Sequence, residues 1–307
     1  MLNQSNVDVV IPTYRPDERF RELLRRLEKQ TCSPEHIYVI NTRSEHFPEE
    51  IERMPKVSVL HIQPEEFDHG ATRDRGFSLS NADIVAFMTQ DALPANRHVI
   101  EELIRPLIFS ENIGASYARQ LPAQDCDVIE RYTRKFNYPE ESRIKSRSDM
   151  DELGIKTFFC SNVCAAYRRD IYESMGGFCR KAIFNEDMIL AGQMILTGYG
   201  VAYSAKAQVI HSHNYTGGQQ FHRNFDLAVS QAEHPEVFGN VRSEGEGMRL
   251  VKQTAVYLVR SKNIHRLPSL FYKSGCKYVG YKLGRNYRKM PMWFVRRCSM
   301  NKMYWEK

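Results

Sequence analysis

The sequence predicts an α/β fold, a mostly parallel sheet flanked by helices, followed by a helical, basic C-terminal extension. Three observations carry this. Short continuous apolar runs alternate with amphipathic periods over residues 7 to 109, each run ends in polar residues, and basic charge collects beyond residue 260. A continuous apolar run suits a strand buried on both faces, and strand–helix alternation implies right-handed crossovers between parallel strands.

Val7 to Ile11 reads as the first strand. Residues 16 to 30 place Phe20, Leu23, Leu24 and Leu27 at i, i+3, i+4 and i+7 among charges, the period of an amphipathic helix. Ile37 to Ile40 and Val57 to Ile62 are the next strands, a helix follows over about 71–79, and Ile84 to Met88 is the fourth strand. Val99, Ile100, Leu103, Ile104 and Leu107 then predict a helix over 97–109. Phe158 to Asn162 reads as a later strand-like element, and Asn185-Glu186-Asp187 precedes an apolar helical stretch with Met188, Ile189, Ile195 and Leu196.

A chain of 307 residues with 42% hydrophobic content fills one large domain or one and a half, and excludes disordered and fibrous classes. The first apolar run is five residues long, which predicts no signal peptide, and no stretch approaches the eighteen or so needed to span a bilayer. A cytoplasmic protein is therefore expected. The seven cysteines are scattered and fit reduced, buried thiols better than a disulfide framework.

The net charge of +6 hides an asymmetry: residues 260–307 hold 13 Lys and Arg against Glu306 alone, while the first 259 residues carry −6. Phe271, Tyr272, Tyr278, Tyr281, Tyr287, Trp293, Phe294, Tyr304 and Trp305 fall between these basic residues. That mixture suits an anionic membrane surface best, then packing on the body or on another copy in a homo-oligomer, and nucleic acid least.

The predicted strands end at Thr13-Tyr14-Arg15, Asn41-Thr42-Arg43, Glu66 to Gly70, and Thr89-Gln90-Asp91. Any one is ordinary turn chemistry, but four polar ends on one sheet edge favour a shared ligand crevice. Asp91 is there a candidate to hold a metal or a charged substrate. The first loop, Pro12 to Pro16, lacks the glycines of a dinucleotide site, and no Walker loop occurs. Bound phosphates would need a cation at Asp91 or the side chains of Arg73 and Arg75.

Val7 to Tyr14, Thr89-Gln90-Asp91 and Asn185-Glu186-Asp187 resemble, in order and spacing, the family 2 glycosyltransferases of the GT-A, or nucleotide-diphospho-sugar transferase, fold. The resemblance covers about residues 5 to 215. Phe67 to Arg73 and Thr89 to Pro94 look most like the bacterial rhamnosyltransferases of cell-wall and surface polysaccharides. It implies a GT-A domain over 1–235 and a helical region over 236–307. It also implies a nucleotide-sugar donor such as dTDP-rhamnose, a lipid-linked saccharide acceptor, and a peripheral place on the inner face of the cell membrane.

By the same resemblance Thr13, Tyr14, Arg15, Asn41, Asp68, Arg73, Gln90 and Asp91 take the donor, and Asn162 and Glu186 lie on the acceptor side. Thr89 stands where the family's Asp-x-Asp has its first carboxylate, so Asp91 needs help in holding Mn2+ or Mg2+. His211 and His213, on one face of an extended segment, are the expected further ligands.

Asp187, at a helix start, reads from the residues alone as either a cap or a general base, its pKa held low by the dipole unless burial opposes it. The resemblance makes it the base of an inverting, metal-dependent transfer. The polar stretch 120–157 is expected as a mobile excursion on the acceptor side, and 214–235 as a lid or a connection to the tail. A non-catalytic nucleotide-sugar or polyanion binding protein of the same fold is the alternative.

Overall fold

A computed structural model of the chain describes residues 6–45, 47–239, 241 and 244–306. The alternating runs become β1 (Val7–Tyr14), α1 (Glu18–Glu28), β2 (Ile37–Thr42), β3 (Val57–Ile62), α2 (His69–Leu79), β4 (Ile84–Met88), β5 (Leu93–Pro94) and α3 (Val99–Phe109). Next come β6 (Ile113–Leu121), α4 (Val128–Asn137), β7 (Arg143–Lys145), α5 (Met150–Leu153), β8 (Cys164–Arg168), α6 (Arg169–Ser174), α7 (Glu186–Leu196) and β9 (Gly200–Ile210). The chain ends in helices α8 (Gly217–Glu233), α9 (Pro235–Phe238), α10 (Glu244–Arg260), α11 (Leu267–Arg285) and α12 (Met292–Cys298).

The chain divides into two compact units. The first runs up to Leu121 and takes in Tyr138–Arg180 and Glu186–His211; the second comprises Pro122–Asn137, Lys181–Asn185 and the chain from Ser212 onward. The boundary expected after residue 235 falls inside the second unit.

The first unit holds a nine-stranded sheet of order β3-β2-β1-β4-β8-β6-β9-β5, with β7 also paired to β9. β3, β2, β1 and β4 are parallel, β8 runs against both β4 and β6, and β6 is parallel to β9. Val7, Val9 and Ile11 of β1 pack in one core with Phe20, Leu23, Leu24 and Leu27 of α1 and the apolar stripe of α3. Val10 points to the opposite face, where a Cβ on Gly76 of α2 would lie 2.3 Å from its Cγ1. A glycine there lets the helix close on the sheet, and β1 is apolar on both faces because both are covered.

Two predicted elements need correction. The stretch 120–157 is not one mobile excursion: it contains α4, the sheet strand β7 and α5, because Ile129, Tyr138 and Lys145 are buried despite the charges around them. The strand placed at 158–162 forms six residues later, as β8; residues 154–158 are a 3-10 helix, and the chain then crosses the sheet edge irregularly.

The second unit is helical. Thr216 caps α8, its hydroxyl accepting from the Gln219 amide while Gln219 reaches back, so residues 217–233 of the stretch 214–235 are a regular helix. α11 packs on α8 through Gly280 and Gly284, where a Cβ would lie 2.3 Å from the carbonyl oxygens of Phe221 and Phe225. The tail aromatics divide accordingly. Tyr287, Phe294, Tyr304 and Trp305 pack around buried Phe225, Val229 and Val295, and the Tyr287 and Tyr304 hydroxyls donate to Glu233. Phe271, Tyr272, Tyr278 and Trp293 stay exposed. Among the described residues no helix is long and apolar enough to cross a membrane.

Candidate active site

In a parallel sheet the carboxyl ends of the strands share one edge, and there the predicted residues gather. Thr13 and Asn41 are register partners on β1 and β2; Thr13 Oγ1 donates to Asn41 Oδ1 at 3.0 Å, and Asn41 Nδ2 lies 3.0 Å from His61 Nδ1 on β3. His61 Nε2 in turn lies 2.9 Å from Glu52. Both Thr13 and Asn41 are buried, so of the residues expected to take the donor these two form a fixed part of the sheet edge.

Gln90 holds the end of β1 by both ends of its amide: the Tyr14 N–H donates to Oε1 at 2.8 Å, and Nε2 donates to the Tyr14 carbonyl at 3.0 Å. The Tyr14 ring is thereby presented to solvent, half exposed, with the Arg15 guanidinium 5.1 Å from its centroid. Arg15 turns back through a left-handed backbone, φ 48°. Tyr14 and Arg15 are the freest of the predicted donor residues.

Asp68 and Arg73 are differently engaged from the expected diphosphate contacts. Asp68 caps α2, accepting from the Gly70 and Ala71 amides at 3.0 and 2.8 Å. Arg73 is buried; its Nη1 lies 3.1 Å from Glu186 and donates to the His69 carbonyl at 2.8 Å. The guanidinium is thus engaged through Nη1 with Glu186 and the His69 carbonyl, while its Nε has no hydrogen-bond partner among the described residues.

Glu186 and Asp187 open α7 and show opposite electrostatics. Burial would raise Glu186, but Arg73, with His69, overrides it and keeps that carboxylate below its ordinary value. For Asp187, burial and then the Glu186 charge push the carboxyl up to about 7, against the amides of Asn162 and Met188 that donate to it. Burial therefore wins over the helix start. Asn162, expected beside the acceptor, is buried and organises the pair: its N–H donates to Asp187 Oδ2 at 2.9 Å, its Nδ2 to Glu186 at 3.3 Å, and its Oδ1 accepts from the Tyr167 hydroxyl at 2.9 Å. The Asn162 and Met188 amides thus hold Asp187 in place, and the residue stays partly exposed.

Asp91 Oδ2 lies 3.5 Å from His211 Nε2, and ligand atoms of Asp91, His211 and His213 all fall within 4.8 Å of one another, close enough to serve one ion. His211, 8% exposed, has its Nδ1 3.0 Å from Gln120 Oε1, and Gln120 Nε2 donates to Ser161 Oγ at 3.0 Å. With its amide nitrogen directed at Ser161, Gln120 presents its oxygen to accept from Nδ1–H, an arrangement that would leave Nε2 as the ligand atom beside Asp91. That tautomer is the one a metal requires, so this donor set fits a divalent cation. Gln120 was not singled out in the sequence because a lone glutamine near a strand end carries no spacing signal. Thr89, at the missing carboxylate's position, has a buried Oγ1 without a hydrogen-bond partner among the described residues.

Residues 8–176 match the sequence profile of glycosyl transferase family 2. The chain is 38% identical over 302 residues to the O-antigen chain rhamnosyltransferase WbaN of Salmonella anatum, covering 97% of this chain and 95% of that protein. It is 37% identical over 305 residues to the O-antigen chain rhamnosyltransferase RfbN of Salmonella typhimurium, covering 97% and 96%. Among solved structures it is similar to the mannosyltransferase PcManGT from Pyrobaculum calidifontis in complex with GDP-Man and Mn2+, with a TM-score of 0.59 at 13% identity over 98% of this chain and 85% of that one. Residues 1–349 of S. aureus TarS match with a TM-score of 0.54 at 15% identity over 92% and 91%. These structural likenesses extend to the fold.

Proposed function

The chain belongs to glycosyl transferase family 2, and we propose that it moves L-rhamnose from dTDP-rhamnose to a lipid-linked saccharide acceptor in O-antigen or related surface polysaccharide synthesis, inverting the anomeric carbon. The observation that carries this reading is that neighbouring residues of one segment hold both groups: Ser161, through Gln120, the His211 that faces Asp91, and Asn162 the Asp187 carboxylate. Full-length similarity to two O-antigen rhamnosyltransferases supports the sugar and the pathway class.

Asp187 is the general base. It takes the proton of the attacking acceptor hydroxyl, and a pKa near the working pH makes it both ionised and basic enough to do so. The Asn162 amide holds its position, and the charge of Glu186, ionised by Arg73, raises its basicity. Tyr14 and Arg15 line the nucleotide end, with Gln90 fixing the strand that presents them. Asp91, His211 and His213 would hold the divalent cation, which when bound neutralises charge on the departing nucleoside diphosphate. Two imidazoles and one carboxylate suit Mn2+ better than Mg2+, which prefers oxygen donors.

Nucleotide release from a panel of nucleoside diphosphate sugars, with a lipid-linked acceptor and Mn2+, tests the reading. Turnover is expected with dTDP-rhamnose, higher with Mn2+ than with Mg2+. Turnover confined to UDP- or GDP-sugars would overturn the donor assignment.

Exposed Phe271, Tyr272, Tyr278 and Trp293 lie in a segment of charge +12, a pattern suited to the anionic inner face of the cell membrane. Deleting the segment would remove Val295 and Cys298 from the core on α8, so the informative variant replaces those four aromatics by Ser. Sedimentation with anionic vesicles at low salt should fall by at least about tenfold, the loss of several interfacial anchors. Equal binding by both forms would remove the membrane role.

A further inference from the structure

Lys145 is 4% exposed in β7, where a lysine would ordinarily reach solvent. Among the described residues no carboxylate lies within ion-pair distance of it. Its Nζ lies 4.7 Å from the centroid of the Tyr117 ring and 5.8 Å from that of Phe159, and it donates to the carbonyls of Lys156, at 3.3 Å, and Phe159. Burial draws its pKa down to about 7, against Cys160 and Asp149. The neutral amine still has two N–H groups for the two carbonyls, so the attachment does not depend on the charge.

What this attachment holds is the irregular crossing between the 3-10 helix at 154–158 and β8. Each of its residues from Ser161 to Val163 serves a different part of the site. Ser161 Oγ accepts from Gln120, which orients His211; the Asn162 N–H donates to Asp187; and the Val163 carbonyl accepts from the Thr89 amide at 3.1 Å, at the start of the loop bearing Asp91. A shift of this crossing would disturb the base and the ligand set together.

We propose that Lys145 is a positioning residue of the transfer reaction, anchoring the Phe159–Val163 crossing through the Phe159 and Lys156 carbonyls and so setting the Asn162 amide on Asp187. This rests on Asp187 being the base. The anchor acts on the base and the leaving-group end and not on the nucleotide end, since Tyr14 and Arg15 stand on β1 and the turn after it and, among the described residues, have no hydrogen bond to this crossing.

The experiment compares wild type, Lys145→Met and Lys145→Gln for folding by thermal unfolding, donor KM, kcat, and the pH dependence of kcat. Lys145→Met should lower kcat about 10- to 100-fold, as loss of an orienting outer partner does, with donor KM within about twofold. Lys145→Gln, retaining an N–H donor for one carbonyl, should fall between Met and wild type. The Asn162 N–H favours ionised Asp187, as Arg73 does, whereas Glu186 and Cys160 oppose it. Loosening that amide should therefore move the acidic limb of kcat to higher pH, which destabilisation alone does not do.

Folded variants with wild-type kcat and an unmoved limb would overturn the proposal, as would a loss confined to donor KM. If the Met variant does not fold, Lys145→Gln decides by the same readouts. Should wild type keep its turnover after Asp187→Ala, the base assignment falls and this inference with it; turnover abolished by Asp187→Ala but indifferent to Lys145 defeats the anchor alone.

Discussion

Asp187→Ala is expected to lower kcat by on the order of 10²- to 10⁴-fold, the range for removing a positioned general base, with donor KM nearly unchanged. The carboxylate stands at the start of α7, held by the Asn162 and Met188 amides and set against an ionised Glu186. In wild type, kcat should fall as the pH drops through about 7, because the protonated carboxyl accepts no proton from the acceptor. The linkage to stability has the opposite sign from an ordinary salt-bridged aspartate. A folded-state pKa raised above the unfolded value means that the fold favours the protonated form, so Asp187 costs stability increasingly as pH rises from about 4, the unfolded value, through about 7. Thermal unfolding at pH 5 and pH 8 should accordingly show a smaller difference in Asp187→Ala than in wild type. Unchanged turnover in a folded Asp187→Ala would remove the base assignment.

The parts of this site that sequence could announce are those whose signal is local. Asp91 follows a continuous apolar run, Asp187 opens an apolar helical period, and His211 and His213 follow β9 at a spacing of two, so each was readable from its immediate neighbours. The residues that give these groups their chemistry are not local. Gln120 meets His211 across 91 positions, and Asn162 meets Asp187 across 25. Lys145 sits in a charged stretch that reads as exposed loop, and its burial follows from β7 joining β9 and from two aromatic rings supplied elsewhere. For Arg73 the residue type misled: an arginine after a strand end suggests a phosphate contact, but its partner Glu186 lies more than a hundred residues away. The tail shows the same limit. Its composition indicates a basic aromatic zone, yet only the packing of α11 on α8 decides which aromatics are core and which remain outside.

Removing the Asp91 carboxylate by Asp91→Ala should abolish metal-stimulated turnover, because the site has one protein anion where the family pattern has two. Thr89 supplies a neutral hydroxyl in place of the first carboxylate, so Asp91 carries the protein's negative charge among the three candidate ligands. His211 and His213 alone would leave a neutral donor pair, and a loss on the order of 10³-fold in kcat is expected, comparable with removing a main stabiliser of developing charge. Gln120→Leu should produce a graded version of the same defect. It frees the His211 ring to adopt the wrong tautomer without deleting a ligand, and outer partners of this kind are worth about 10- to 100-fold in metal affinity. Direct Mn2+ titration of the three proteins, read by the ion's own paramagnetic signal, separates binding from turnover. The expected order of affinity is wild type, then Gln120→Leu, then Asp91→Ala. A folded Asp91→Ala that bound Mn2+ as tightly as wild type would show that the ion sits elsewhere and that Asp91 and His211 form no metal centre.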